Sequence, residues 1–230
     1  MCQAGQISSA ADALSAVSAG LAWLGDADVT QLTSDEQAGC LHALGAAESQ
    51  ALAARSRVLA AFDAGRGFEA DGAGSSRSWL RARTRVTGQA AAGSVAWMRR
   101  LTAHPQTAAA LAAGDISPSW ARHVCDWTQG LPGEVGADAE QVLLAAAKGV
   151  AELGDLAGLA EEIHRRTARP DTDPDGDGFS DRSVRLDEYF KGNGQLTGNL
   201  SQRCTAALRA VFESLAGKTG PEDTRTLDQR

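Results

Sequence analysis

Two stretches decide the fold: SRSWLRARTRVTGQAAAGSVAWMRRL at residues 76–101, and HPQTAAALAAGDISPSWARHVCDWTQGL at residues 104–131. Each reads as a short helix, a tight turn, an aliphatic residue followed by Thr or Ser, and a second helix. Val86-Thr87 and Ile116-Ser117 occupy the same place in the two copies. Thr87 and Ser117 are good N-caps, because a side-chain oxygen there accepts from a backbone N–H that the helix leaves unsatisfied. Pro118 stands at the first helical position, where its missing N–H costs nothing. Gly114 suits the end of the preceding helix. These are helix–turn–helix corners, consistent with a duplication, and two copies are too few for a solenoid.

Working toward the N-terminus, residues 65–76 (GRGFEADGAGSS) form a loop by their glycines. Before it, Leu41, Leu44, Ala51, Val58 and Phe62 recur at about 3.5-residue intervals, the period of a helix packed along one seam. The spacing predicts one long helix from Ser34 to Asp63 or Ala64, ended by Gly65, with Ser34 and Gln37 as a capping box. A first helix is expected from Ser8 or Ser9 to Trp23, with Leu14, Val17, Leu21 and Leu24 on one face. Working toward the C-terminus, further helices are expected near Asp138–Lys148 and Leu153–Thr167. The period then falls to two: Val184, Leu186 and Phe190 share a side with Glu188, and Leu196, Gly198 and Leu200 share one across the KGNGQ turn. Ser201 can cap a following helix, and a last helix begins near Thr224. The expected fold is mainly α: a multi-helix bundle with helix-turn-helix-like corners and one small β-hairpin near the C-terminus. The parts are 1–33, an N-terminal helix and connector; 34–168, the helical domain; 169–181, an Asp-rich linker; and 182–230, the hairpin plus helix.

Composition agrees. The 230 residues are 43% hydrophobic and 22% charged, which suits a buried core. The net charge of −7 disfavours indiscriminate binding of nucleic acid or anionic membrane by the whole molecule. That total hides a segment from Arg55 to Arg100 with nine arginines against three acids, and another from Glu134 to Glu162 with seven acids against Lys148 alone. Cys2, Cys40, Cys125 and Cys204 are scattered, without the spacing of a zinc site or a disulfide framework. The N-terminus lacks the basic and apolar regions of a signal peptide, and no apolar run is long enough to span a membrane. The reading is therefore cytoplasmic, with no membrane partner.

Arg77 and Arg81 share one face of a short helix by their i, i+4 spacing. Arg83 and Arg85 stand at its exit, and Arg99 and Arg100 end the next helix. Guanidinium groups suit phosphate, and a helix N-terminus at Thr87 adds backbone donors. Thr87, Gln89, Ala90 and Gly93 would face base edges if that helix entered a major groove. Duplex DNA is thus the candidate partner, through Arg77, Arg81, Arg83, Arg85, Thr87, Gln89, Arg99 and Arg100. Against it, a DNA-reading corner usually has a small residue in its first helix and a glycine in its turn, and here Arg81 and Arg85 take those places. The second corner has one extra residue in its turn and few basic groups. The bare alternative is a helical corner with a solvated arginine face. A third possibility is self-association or protein–protein contact through the long Ser34–Asp63 helix, because an apolar seam of that length wants a partner.

DTDPDGDGFSD, residues 171–181, aligns Asp173, Asp175, Asp177 and Asp181 around glycine as D-x-D-x-D-G-x-x-D, a spacing that can hold calcium. In either twelve-residue register the closing bidentate glutamate is missing, because Arg182 or Val184 stands there. A solvated linker competes: like charges keep it extended, and Pro170 and Pro174 prevent helix. His42, His104, His123 and His164 lie apart, and no motif of nucleophilic or metal-assisted hydrolysis appears. Trp120 and Trp127, seven apart, have the spacing of a packed helix face rather than of base-stacking residues.

The order of motifs resembles the actinobacterial domain of unknown function 222, also called the 13E12 repeat family. The resemblance rests on Trp79-Leu80, the LAAGDIS turn, the hairpin ending Leu196-Thr197-Gly198-Asn199-Leu200, and Asp223-Thr224-Arg225-Thr226, and it runs from about residue 35 to the end. In that family the region usually precedes an HNH endonuclease domain with a histidine general base and a divalent metal. The resemblance implies an N-terminal accessory region, apparently truncated before such a domain. No catalytic residue is carried over and no cofactor is expected in this chain, because no positions match the nuclease.

Overall fold

A computed structural model describes residues 7–149, 152–167, 183–188 and 194–216. The Asp173, Asp175, Asp177 and Asp181 stretch and the helix expected from Thr224 lie outside the described residues. The chain divides into two compact units, residues 1–167 and 168–230.

The first unit is all helix: α1 (Ala10–Asp26), α2 (Ser34–Ala64), α3 (Ser76–Arg83), α4 (Gly88–Ala103), α5 (Pro105–Ala113), α6 (Pro118–Thr128), α7 (Gly133–Ala147) and α8 (Leu153–Thr167). α1 has a Ser9 cap but no buried residue, so it packs into no core. α2 is the spine. Its C-terminal two-thirds lies against α4 and α5, burying Ser49, Ala53, Ser56 and Leu59. The capping box of α2 differs from expectation: Thr33 and Glu36 form it, with the Thr33 N–H donating to Glu36 Oε2 at 2.8 Å, and not Ser34 and Gln37. The same chemistry one residue earlier puts a carboxylate in the first turn, where the helix dipole favours it. α7 also begins at Gly133, five residues before the expected Asp138. Pro132 leads in, and Glu134 occupies the favoured first turn.

Two adjoining cores hold the bundle. The larger gathers Ala53, Leu101, Leu111, Ile116, Ala121, Val124, Leu143, Leu156 and Ala160. The smaller gathers Leu59, Leu80, Ala91 and Met98, with Phe62, Trp79, Val86 and Val95 packed on it. The two corners use them alike. Four residues past each N-cap stands a fully buried alanine, Ala91 or Ala121, which lets the second helix approach its neighbours closely. Trp120 and Trp127 pack against the larger core, as their spacing predicts. Cys125 of α6 is buried beside Thr107, and burial pushes its thiol up to about 12.

In the second unit β1 (Ser183–Glu188) pairs antiparallel with β2 (Gly194–Asn199), setting Leu186 opposite Leu196 and Val184 opposite Gly198. α9 (Gln202–Leu215) follows, with Ser201 accepting from the Cys204 N–H as its cap. Gly198 is required by space: a Cβ there would meet Ser183 O at 2.2 Å. Val184, Leu196, Leu208, Val211 and Phe212 line one apolar cleft between hairpin and helix.

Candidate nucleic-acid interface

The α3–α4 corner is built on the smaller core. α3 starts from a Ser75–Ser78 capping box and buries Ser76 and Leu80. Ser76 Oγ donates to Asp63 Oδ1 of α2 at 2.6 Å, which anchors the start of α3 to the spine. Phe62 and Trp79 meet in a tilted ring contact, centroids 4.6 Å apart, and the Trp79 indole N–H donates to Asp71 Oδ2 at 2.6 Å. The turn then runs from Thr84 to Thr87. Thr87 Oγ1 accepts from the Ala90 N–H at 3.2 Å and caps α4.

Arg85 adopts a left-handed backbone, φ 54°. A bulky residue there stores strain. The conformation is the left-handed one that glycine adopts without cost. In the second corner Gly114 takes the left-handed place at φ 79°. Counted from the left-handed residue to the N-cap, that turn is one residue longer, Gly114 to Ser117 against Arg85 to Thr87.

The six arginines divide into two groups. Arg83 pairs with Asp71, and the hydrogen bonds from Trp79 and from Arg83 hold the Asp71 carboxyl below its ordinary range. Arg100 pairs with Asp126 of α6 at 2.6 Å and lies 5.4 Å over the Trp97 ring. These two are braces within the bundle. Arg77, Arg81, Arg85 and Arg99 are exposed, and among the described residues none has an ion pair. Arg77 Nη2 comes 3.5 Å from Gly88 O, against the start of α4. Gln89, Ala90, Gly93 and Ala96 form the exposed strip of α4 beside them, and beyond the helix's own backbone nothing lies within 4 Å of where a Cβ on Gly93 would sit. That strip is slender enough to approach a groove closely, with unpaired cations beside its start and Arg99 toward its end.

Sequence spacing missed Arg122 of α6, an exposed residue whose guanidinium stands 5.7 Å from Trp97, on the same ring as Arg100. It lies outside the arginine-rich segment and nothing local marks it. The acids that occupy Arg83 and Arg100 were equally unmarked, because Asp71 is 12 and Asp126 is 26 residues away.

A second polar cluster is structural. Glu140 of α7, 3% exposed, accepts from the Thr107 N–H at 2.6 Å and from Thr107 Oγ1 at 2.7 Å. It caps α5 from outside, where Pro105 and the His104 cap leave donors unsatisfied. His104 Nδ1 lies 3.8 Å from its other oxygen and 3.4 Å from Thr128 Oγ1. Among the described residues no group of three or more His, Cys, Asp or Glu side chains gathers as a metal site, and no helix is long and apolar enough to cross a membrane.

No curated protein and no solved structure matches the chain. A family profile does, over residues 38–230, spanning both corners, the hairpin and α9. On that match, the chain belongs to the family described as Domain of unknown function (DUF222).

Proposed function

We propose that the chain is a non-catalytic accessory module that positions or recruits a nuclease on duplex DNA in the cytoplasm, the nuclease being an HNH endonuclease domain of the kind the sequence resemblance associates with this region. The observation that carries the reading is the set of four exposed arginines, Arg77, Arg81, Arg85 and Arg99, without acidic partners among the described residues, around a helix-turn-helix-like corner. Cations left unpaired beside a helix N-terminus are suited to phosphate. Arg83 and Arg100 support the reading indirectly, by fixing the corner to the loop and to α6. Thr87 shapes the start of α4, and Gln89 on its first exposed turn is the side chain best situated to meet a base edge.

With a net charge of −7, binding rests on this local patch and is steeply salt-dependent. Four phosphate contacts give a slope of about −3 to −4 in log affinity against log salt. Fluorescence anisotropy with a labelled duplex measures it. Replacing Arg77, Arg81, Arg85 and Arg99 together by Ala abolishes most of the slope on this reading. Absence of binding at low salt, or a slope indifferent to the fourfold change, rejects it.

A further inference from the structure

α2 carries a second face that the bundle leaves uncovered. Leu41, Leu44, Glu48, Ala51, Arg55 and Val58 recur at alternating spacings of three and four, the repeat that lines a coiled-coil seam. All six are exposed, Leu41 by 71%, Leu44 by 38% and Val58 by 69%. The core-facing Ser49, Ala53, Ser56 and Leu59 lie on another side of the helix. Glu48 and Arg55 make no side-chain hydrogen bond or ion pair among the described residues. Seven residues, about 10 Å of rise, keep them from pairing on their own helix.

We infer that this seam pairs antiparallel with the same seam of a second copy of the chain, about a two-fold axis crossing α2 between Ser49 and Gln50. Under that operator Leu41 faces Val58 of the second copy, Leu44 faces Arg55, and Glu48 faces Ala51, each contact recurring by symmetry. The Arg55 stem lies over the facing Leu44, and its guanidinium reaches Glu48 one turn along the same face. Charge selects both the occupant and the direction. From Ser34 to Ala54 the helix carries Asp35, Glu36 and Glu48 and no Lys or Arg, and Arg55 and Arg57 follow. A parallel pair would set Glu48 beside Glu48 and Arg55 beside Arg55, whereas the antiparallel pair sets opposite signs together. α1, whose charges are Asp12 and Asp26 alone, offers no such complement.

Sedimentation equilibrium of the full chain without DNA tests this independently of the arginine patch. The wild-type mass rises toward twice the monomer as concentration increases from about 1 to 200 µM. Glu48→Arg and Arg55→Glu each hold it at the monomer mass over that range, with circular dichroism unchanged because both sites are exposed. An equimolar mixture of the two variants dimerises again, since every cross-copy pair then has opposite signs. A wild-type chain that stays monomeric, single variants that dimerise as wild type does, or a mixture that remains monomeric overturns the inference.

Discussion

Arg85 bears two demands that pull against each other. Its left-handed backbone, φ 54°, would suit glycine, yet its guanidinium belongs to the proposed phosphate-facing set. Arg85→Gly separates them. The substitution removes strain of about 1–3 kcal/mol, partly offset by the larger entropy that glycine loses on folding. Thermal stability is therefore expected to stay level or rise by up to about 2 kcal/mol, while the salt slope for duplex binding shrinks by about one. Calorimetry and anisotropy on the same sample read the two effects, and a marked loss of stability would count against the strain argument. Caps such as Thr87 and Ser117 were legible in sequence because their chemistry closes within three residues. The division of the arginines into braces and free cations was not. It depends on Asp71 and Asp126, brought in by the fold from 12 and 26 residues away, and no local spacing encodes that.

Among the elements, α5 is the least self-sufficient. It spans nine residues, its cap His104 gives no side-chain bond, and Pro105 opens it. Glu140 supplies the missing acceptor from α7, and does so in the bundle interior. Glu140→Ala leaves the Thr107 N–H and hydroxyl without an acceptor, a loss of about 2–3 kcal/mol. Thermal denaturation should show the midpoint falling by about 5–10 °C, with Glu140→Gln, which keeps an acceptor oxygen, falling less. Equal behaviour of Ala and Gln would mean that the bonds to Thr107 matter little. Helical and strand periods made most elements readable in advance, including α2 to its last turn and the hairpin, whereas the register that sets Leu186 against Leu196 came only with the fold. The start of α7 was missed because Pro132, Gly133 and Gly136 look like loop punctuation, whereas here the proline leads into the helix and α6 and α8 stabilise it by packing. The Glu140 cap was missed because its sequence neighbours give no hint of Thr107, 33 residues back.

For the molecule as a whole, the formal charge of −7 opposes the interface proposed for its own basic corner. Glu134, Asp138, Glu152, Asp155 and Glu161 are exposed on or beside α7 and α8. Converting the five to their amides would bring the net charge to −2. Duplex affinity is expected to rise by up to about tenfold at low ionic strength, and to match wild type near 1 M salt, where screening shortens to about 3 Å. An affinity gain that persists at high salt would mean that those acids lie in the contact itself. Cys125 has a separate consequence. Its thiol is 1% exposed and burial keeps it protonated, whereas Cys40 and Cys204 are partly open to solvent. Alkylating reagents act on the thiolate, so modification of Cys125 in native buffer must wait for the bundle to come apart. Its labelling rate, followed by peptide mass, is a built-in clock for how often the intact molecule opens.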